Sequence, residues 1–456
     1  MKDLEDARRA YAGAFETLEA LRRELATGSP DAQLSFLEEV EGIYREYVDL
    51  LLWEPKPEQV HVSQAREVIA SLQAVELENF LRQACPENNL KEIDKVLEKD
   101  AKTTAFIYPI VLDNRIEVIL KLPEVKDLKR FNKFVARNDV EKLVAQLQLD
   151  LEEEYTFEAV RDESKQLYEW LLKDVDQYLE KEHKNINTLV FALDTNLRNI
   201  PLAALVYDAN PESTRYLVDK YAIALAPRLD LPSSEVLQDR KLRILAAGLT
   251  EPDPGVVNER QKRKFSKLRY VNQELNVLET LEKSNSRVSV TKLSEENFKT
   301  KQLQSKINTS TFQILHLATH GEFSSLPENT FILAYDKPIK VNEIGNVFRT
   351  QAQNQLEPIE LLVLSACETA AGDQRATLGI SGVGVRAGAR SAIASLWTLD
   401  DKISVEFTKE LYKQLTNPTK LTKAKALQEA QRRLKDSRGR EHPRYWAPYI
   451  LLGNWL

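Results

Sequence analysis

"LVLSACETAAGD", Leu362 to Asp373, carries Leu362, Val363 and Leu364 straight into Ser365, Ala366 and Cys367. The wider run, "IELLVLSAC", is apolar on both faces and short for a helix, which predicts a strand covered on both sides. The polar stretch behind it, with Gly372, predicts a loop. One of only two cysteines in the chain therefore stands where a buried strand gives way to a loop. In open parallel sheets, ligands collect at that end of a strand.

The same kind of run recurs on either side. "TLVFALD" (188–194), "YAIALAP" (221–227), "LRILAAGL" (242–249), "RVSVTKL" (287–293), "FQILHLATHG" (312–321) and "TFILAYD" (330–336) precede it. "RSAIASLW" (390–397) and "PYILLGNW" (448–455) follow. Helix-like stretches separate several of these runs. The pattern predicts an α/β fold with a mostly parallel sheet flanked by helices.

Ahead of this lie two other textures. Residues 1–100 read as helices: Leu4, Ala7, Tyr11, Ala14, Leu18 and Leu21 recur at three- and four-residue steps. Pro30 would open a second helix and Ser63 would cap a third. Paired helices of this size resemble the end of a repeat array, but no second copy of a repeat is visible. Residues 101–185 begin with "TTAFIYPIVLDNRIEVILKLP", two β-rich runs around Asp113 and Asn114, a β-hairpin signal. An acidic helical linker completes that stretch. Residues 186–456 form the α/β unit.

Bulk properties narrow the function. A chain of 456 residues allows two or three domains. No apolar run approaches the roughly 20 residues that span a bilayer, so no membrane role is expected. The N-terminus lacks an apolar signal core, and a cytoplasmic location is expected. A net charge of −7 argues against nucleic acid as the main ligand. Cys85 and Cys367 make neither a disulfide framework nor a zinc cluster.

Three motifs could carry chemistry. His316 and His320 in "HLATHG" stand four apart, the spacing of a helical metal site. But Phe312 to Ala318 reads as a strand, along which the two would lie roughly 13 Å apart, too far to share an ion. His316 then reads as a hydrogen-bonded core histidine. His320 sits at the strand's polar end, before Gly321, whose backbone a ligand can approach closely. "GISGVGVRAG" contains G-x-G-x-x-A from Gly382 to Ala387. A dinucleotide site needs a strand immediately before it, and the nearest ends near Cys367, so these glycines read as close-packing points on a helix against the sheet. The third motif pairs the strand ends. If the strands bearing His320 and Cys367 are neighbours, an imidazole and a thiol meet in one cleft, and the Gly321 N–H could face a developing oxyanion. Cys367 as a small core hydrophobe is the alternative reading.

The H-G after one strand and the S-A-C-E-T after a later one resemble the CHAT domain, a caspase-like domain often attached to tetratricopeptide repeats in bacterial proteins. "LDTNLRNIPLAALV" (193–206) resembles that family's opening segment. "GVGVRAGARSAIASLWTLDD" (382–401) and "HPRYWAPYILLGNW" (442–455) resemble its C-terminal signature. "AREVIASLQAVELENFLRQAC" (65–85) and the hairpin resemble segments that precede such domains. The resemblance implies a caspase-like fold, with 186–250 as a degenerate half and 285–456 as an active half. It implies a cysteine endopeptidase of the clan that holds caspases and separase, acting on a protein substrate without metal or organic cofactor. Cys367 would be the nucleophile, His320 the general base and Gly321 an oxyanion donor. Asp373, Asp400 and Asp401 are acidic neighbours that could line a substrate pocket, and surface solubility explains each equally well. The N-terminal helices could bind a protein partner, and a non-catalytic interaction module is the rival reading.

"NERQKRKFSKLR", Asn258 to Arg269, is dense in Lys and Arg, with apolar residues only at Phe265 and Leu268, and burial is not expected there. It is open to three readings: a solvated loop, a self-processing site of the kind caspase relatives use, or a basic docking patch.

Overall fold

The computed structural model describes residues 2–25, 30–81, 90–99, 101–226, 237, 241–253, 265, 267–348, 359–369, 377–397 and 401–456. Three strands open the sheet region: β1 (Thr104–Val111), β2 (Arg115–Lys121) and β3 (Lys129–Phe134). Then come β4 (Thr188–Phe191), β5 (Val206–Asp208), β6 (Arg215–Tyr216), β7 (Ala222–Leu225), β8 (Leu242–Gly248) and β9 (Val288–Ser294). The remainder are β10 (Ile314–Phe323), β11 (Phe331–Leu333), β12 (Pro338–Lys340), β13 (Leu361–Thr369), β14 (Ser391–Ser395) and β15 (Tyr449–Gly453). Each of the nine apolar runs forms a strand, and β1 and β2 pair antiparallel across Asp113 and Asn114. β3 and β12 are missing from the sequence reading because "KRFNKF" and "PIK" are short or strongly polar.

Among the described residues one sheet holds all strands but β5 and β6, in the order β9-β8-β10-β13-β14-β15-β7-β4-β1-β2-β3, with β11 and then β12 continuing from the same edge of β10 that β8 pairs with. Neighbours are parallel from β9 to β14 and again from β15 to β1. They are antiparallel at β14–β15 and in the β1–β2–β3 meander. Burial on both faces is visible within single strands. Leu362 and Leu364 of β13 join one apolar cluster, while Leu361 and Val363 join the other. A strand that must be apolar at every position reads as a continuous run, which is why this part of the chain was readable.

The acidic stretch forms the helices Arg137–Glu152, Phe157–Leu171 and Lys173–Glu182, whose inner faces bury Val140, Val144, Leu147, Leu151 and Leu167. Helices Lys2–Leu25, Pro30–Leu51, Gln59–Leu81 and Leu90–Lys99 precede the sheet. The third starts at Gln59 and not at Ser63. The Glu58 carbonyl accepts from the N–H groups of His61 and Val62 at 3.0 and 3.1 Å, so the first turn closes before Ser63 is reached. The second is fastened to the sheet by a buried ion pair. Arg45 donates to both oxygens of Asp194 at 2.6 and 2.8 Å, and the Val111 N–H adds a bond at 3.1 Å. Burial pushes the Asp194 carboxyl up, but the Arg45 charge and these bonds outweigh it and hold the group below its ordinary value.

One buried cation stands apart. Lys423 opens the helix Lys423–Lys435, is 1% exposed, and its Nζ has no hydrogen-bond partner among the described residues. Burial pushes this ammonium down from 10.5 to about 8, against the pull of Glu360. Between those two values the unfolded chain holds more proton than the folded one, so stability rises with pH across that window. Lys423→Met is expected to flatten that rise and to stabilise the protein at pH 7 by about 1–4 kcal/mol. Urea unfolding at pH 7 and pH 10 checks this; a variant no more stable than the parent at pH 7 contradicts it.

Candidate active site

The site is built where β10 and β13 lie side by side. Their register runs Ile314↔Leu361 through Ala318↔Ser365, then resumes at Gly321↔Cys367. Three steps along β10 are thus matched by two along β13, and β10 carries one extra residue at Thr319 or His320. Such a bulge re-aims side chains locally. On the opposite edge of β10 the partner changes at the same place. β8 pairs with Ile314–Ala318, and β11 takes over at Gly321↔Ile332 and Glu322↔Phe331. The Thr319 hydroxyl fastens the change-over by donating to the Leu333 carbonyl at 2.8 Å.

β10 runs through to Phe323, so His320 and Gly321 lie inside the strand and not beyond its end at Ala318, as the sequence suggested. The polarity of Thr319 and His320 looked like a terminus because a bulge leaves no mark in hydropathy. The two histidines end in different settings. His316 is fully buried; its Nε2 meets a Glu274 carboxylate oxygen at 3.0 Å and its Nδ1 meets the Tyr412 hydroxyl at 3.2 Å. Thr408 donates to the same Glu274 oxygen at 2.7 Å. His316 is therefore a hydrogen-bonded core residue. His320, 8% exposed, packs its ring 5.3 Å from that of Phe265.

Cys367 is placed by its backbone, within β13 and paired to Gly321; its side chain lies outside the described residues. The backbones of His320 and Cys367 are thus neighbours across one strand pair. Asp373, Asp400 and Cys85 also lie outside the described residues. Asp401 is placed by backbone alone, as the first residue of the helix Asp401–Leu415. Among the described residues no three His, Cys, Asp or Glu side chains converge as a metal site, and no helix is long and apolar enough to cross a membrane.

The glycine-rich segment forms the helix Thr377–Ala387, and its glycines are contact points. A Cβ on Gly379 would come within 2.8 and 2.9 Å of the Ser324 backbone, just past β10. A Cβ on Gly382 would fall inside the Phe80 ring of the helix Gln59–Leu81, so this glycine packs on an N-terminal helix and not on the sheet. Arg386 donates to the Leu81 carbonyl, and Asn199 of the "LDTNLRNIP" segment accepts from the Thr377 hydroxyl at 2.5 Å. The helix that follows the cysteine strand is thereby held from three directions.

The segment after β8 holds the largest surprise. Phe265 and Leu268 are buried, at 6% and 3% exposure, against the expectation of a solvated run. Two anchors explain it: Asp253 N–H donates to the Tyr335 carbonyl at 3.2 Å, and Leu268 N–H to the Thr250 carbonyl at 3.1 Å. A basic run with two apolar residues can bury only those two. Residues 258–264 and Ser266 lie outside the described residues.

A mixed, mostly parallel sheet flanked by helices, with histidine and cysteine strands adjacent, defines a caspase-like fold. The chain belongs to the CHAT domain family, whose model matches residues 161–454. No curated protein matches it. Among solved structures it is similar to separase of Saccharomyces cerevisiae in a separase–securin complex, at 10% identity and a TM-score of 0.51, over 97% of this chain and 37% of that one. A second structure of that complex gives 11% identity and 0.46, over 93% and 37%. The complex of pro- and mature domains of RgpB from Porphyromonas gingivalis gives 12% and 0.41, over 70% and 76%. The chain thus spans about 37% of the length of the separase chains it matches.

Burial pushes the Glu274 carboxyl up, but hydrogen bonds from His316 and Thr408 outweigh it and hold the group below its ordinary 4.5. The stability this carboxylate contributes is complete above that value and is lost as pH falls through the lower, folded one. Glu274→Ala, which removes the buried partner of His316 Nε2 and of the Thr408 hydroxyl, is expected to cost about 1–3 kcal/mol for each group left unsatisfied. Chemical denaturation at pH 7 checks this, and a loss under about 1 kcal/mol contradicts a paired His316.

Proposed function

We propose that this chain is a cysteine endopeptidase acting on a protein substrate, with Cys367 as nucleophile and His320 as general base. The observation that carries the reading is the Gly321↔Cys367 pairing across the β10 bulge, which sets the two backbones side by side within the carboxyl-terminal halves of two parallel strands. Membership of the CHAT domain family supports it.

The reaction is acyl transfer. His320 takes the thiol proton, and the Cys367 thiolate attacks the scissile carbonyl. Backbone N–H groups, with that of Gly321 as the proposed donor, meet the tetrahedral oxyanion. His320 returns the proton to the leaving amine as the C–N bond breaks. Water, deprotonated by the same imidazole, then attacks the thioester and releases the new carboxylate and the thiol. The steps use two side chains, backbone N–H groups and water, and no cofactor is invoked. Asp401, at the head of its helix, is offered with Asp373 and Asp400 as a lining of the substrate pocket.

Cys367→Ala is expected to abolish peptide-bond cleavage without unfolding the protein, because the two side chains are close in size. His320→Ala is expected to slow cleavage by roughly 10²–10⁴-fold. Sequencing of new N-termini in a proteome treated with parent, Cys367→Ala and His320→Ala checks both. New termini that are as abundant with Cys367→Ala as with the parent remove the thiol from the mechanism and leave the non-catalytic reading.

A further inference from the structure

We infer that Phe265 is a positioning residue for His320: an aromatic brace, delivered from the basic segment after β8, that holds the imidazole in its working orientation. The inference rests on the dyad reading above and adds a residue to it.

Three observations carry it. First, the Phe265 ring lies 5.3 Å from the His320 ring at 49°, and 5.8 Å from the Phe331 ring at 88°. Phe331 sits on β11, opposite Glu322, so the brace is backed by the strand that takes over the edge of β10 beside the bulge. Aromatic pairs in tilted or edge-on geometry at this separation attract each other beyond the area they bury, which favours one ring orientation over others. Second, all three rings are nearly sealed: Phe265 is 6% exposed, His320 8% and Phe331 9%. Third, the brace is anchored on both sides in sequence, by the Asp253–Tyr335 and Leu268–Thr250 backbone bonds. Thr250 is itself held by Glu295, which accepts from its N–H at 3.2 Å and from its hydroxyl. A side chain so fixed is an unusual use for the one phenylalanine of a run otherwise dense in Lys and Arg.

The bulge gives this brace something to do. A bulge at Thr319 or His320 breaks the alternation that orients the side chains of an unbroken strand. His320 therefore needs support from outside the ladder. A base must stand within about 3 Å of the proton it takes, and a misplacement of about 1 Å can cost 10²-fold in rate.

The test reads the thiol directly, with iodoacetamide as probe and peptide mass spectrometry to follow Cys367 alone. Parent, Phe265→Ala, Phe265→Tyr, His320→Ala and the double variant Phe265→Ala/His320→Ala are compared at pH 7, with Tm recorded for each. The brace predicts a roughly tenfold slower alkylation of Cys367 in Phe265→Ala, recovery in Phe265→Tyr, and no further loss in the double variant beyond His320→Ala. Phe265→Leu, which keeps bulk without the ring, replaces the alanine variant where that one does not fold, with the same slowing expected. A faster reaction in Phe265→Ala overturns the inference and makes the residue a cover over the cleft. An unchanged rate with a lowered Tm overturns it in favour of simple packing. Equal rates in parent and His320→Ala would instead sink the dyad, a result distinct from any outcome at Phe265.

Discussion

Everything proposed for this molecule depends on how β10 lies against β13. Parallel pairing fixes neighbours residue by residue, and an unbroken register would have left His320 opposite Cys367 and on the same face as His316. One extra residue in β10 breaks that equivalence. His316 stays in the core with Glu274 and Tyr412, whereas His320 gains a separate set of aromatic neighbours. Two histidines four residues apart thus sit in different settings, one among hydrogen-bond partners in the core and one beside the bulge against Phe265.

The same junction is tied to the rest of the chain. The helix Thr377–Ala387 follows the cysteine strand, and it is seated by close contact more than by volume. Gly379 meets the backbone at Ser324, and Gly382 admits the Phe80 ring. Interiors are packed like crystals, so contacts of this kind leave little room for the helix to slide. Phe80 belongs to the helix Gln59–Leu81, and the preceding helix is bolted to the sheet through Arg45 and Asp194. The N-terminal helices are therefore built into the same body as the candidate site, and part of the surface they could offer a partner is already spent inside the chain.

Much of the fold was legible because its central strands are buried on both faces. "LRILAAGL", "FQILHLATHG" and "IELLVLSAC" have no polar face to hide, and hydropathy marks them directly. What escaped is what hydropathy does not encode. β3 is an edge strand whose side chains are largely exposed, so its Lys and Arg content carries no strand signal and the stretch falls within the expected helical linker. The third helix starts five residues earlier than its sequence indicates, since the carbonyl of Glu58 initiates it and not a cap at Ser63. The bulge between Ala318 and Gly321 is a register event and needs two strands to exist. Phe265 was misread for a related reason: local composition argues for exposure, and only anchors some distance away at Asp253 and Leu268 bring it to the imidazole.

The adjacency of His320 and Cys367 is the central claim, and disulfide trapping tests it most directly. Strand neighbours whose Cα atoms lie about 4.4–6.8 Å apart can be joined by a disulfide, whereas residues four steps along a strand cannot. With Cys85→Ser in the background, mild oxidation of His320→Cys is predicted to give one intramolecular bond to Cys367, reversed by reductant. His316→Cys under the same conditions is predicted to give none. A bond formed from position 316 and not from 320 would contradict the register on which the whole account stands.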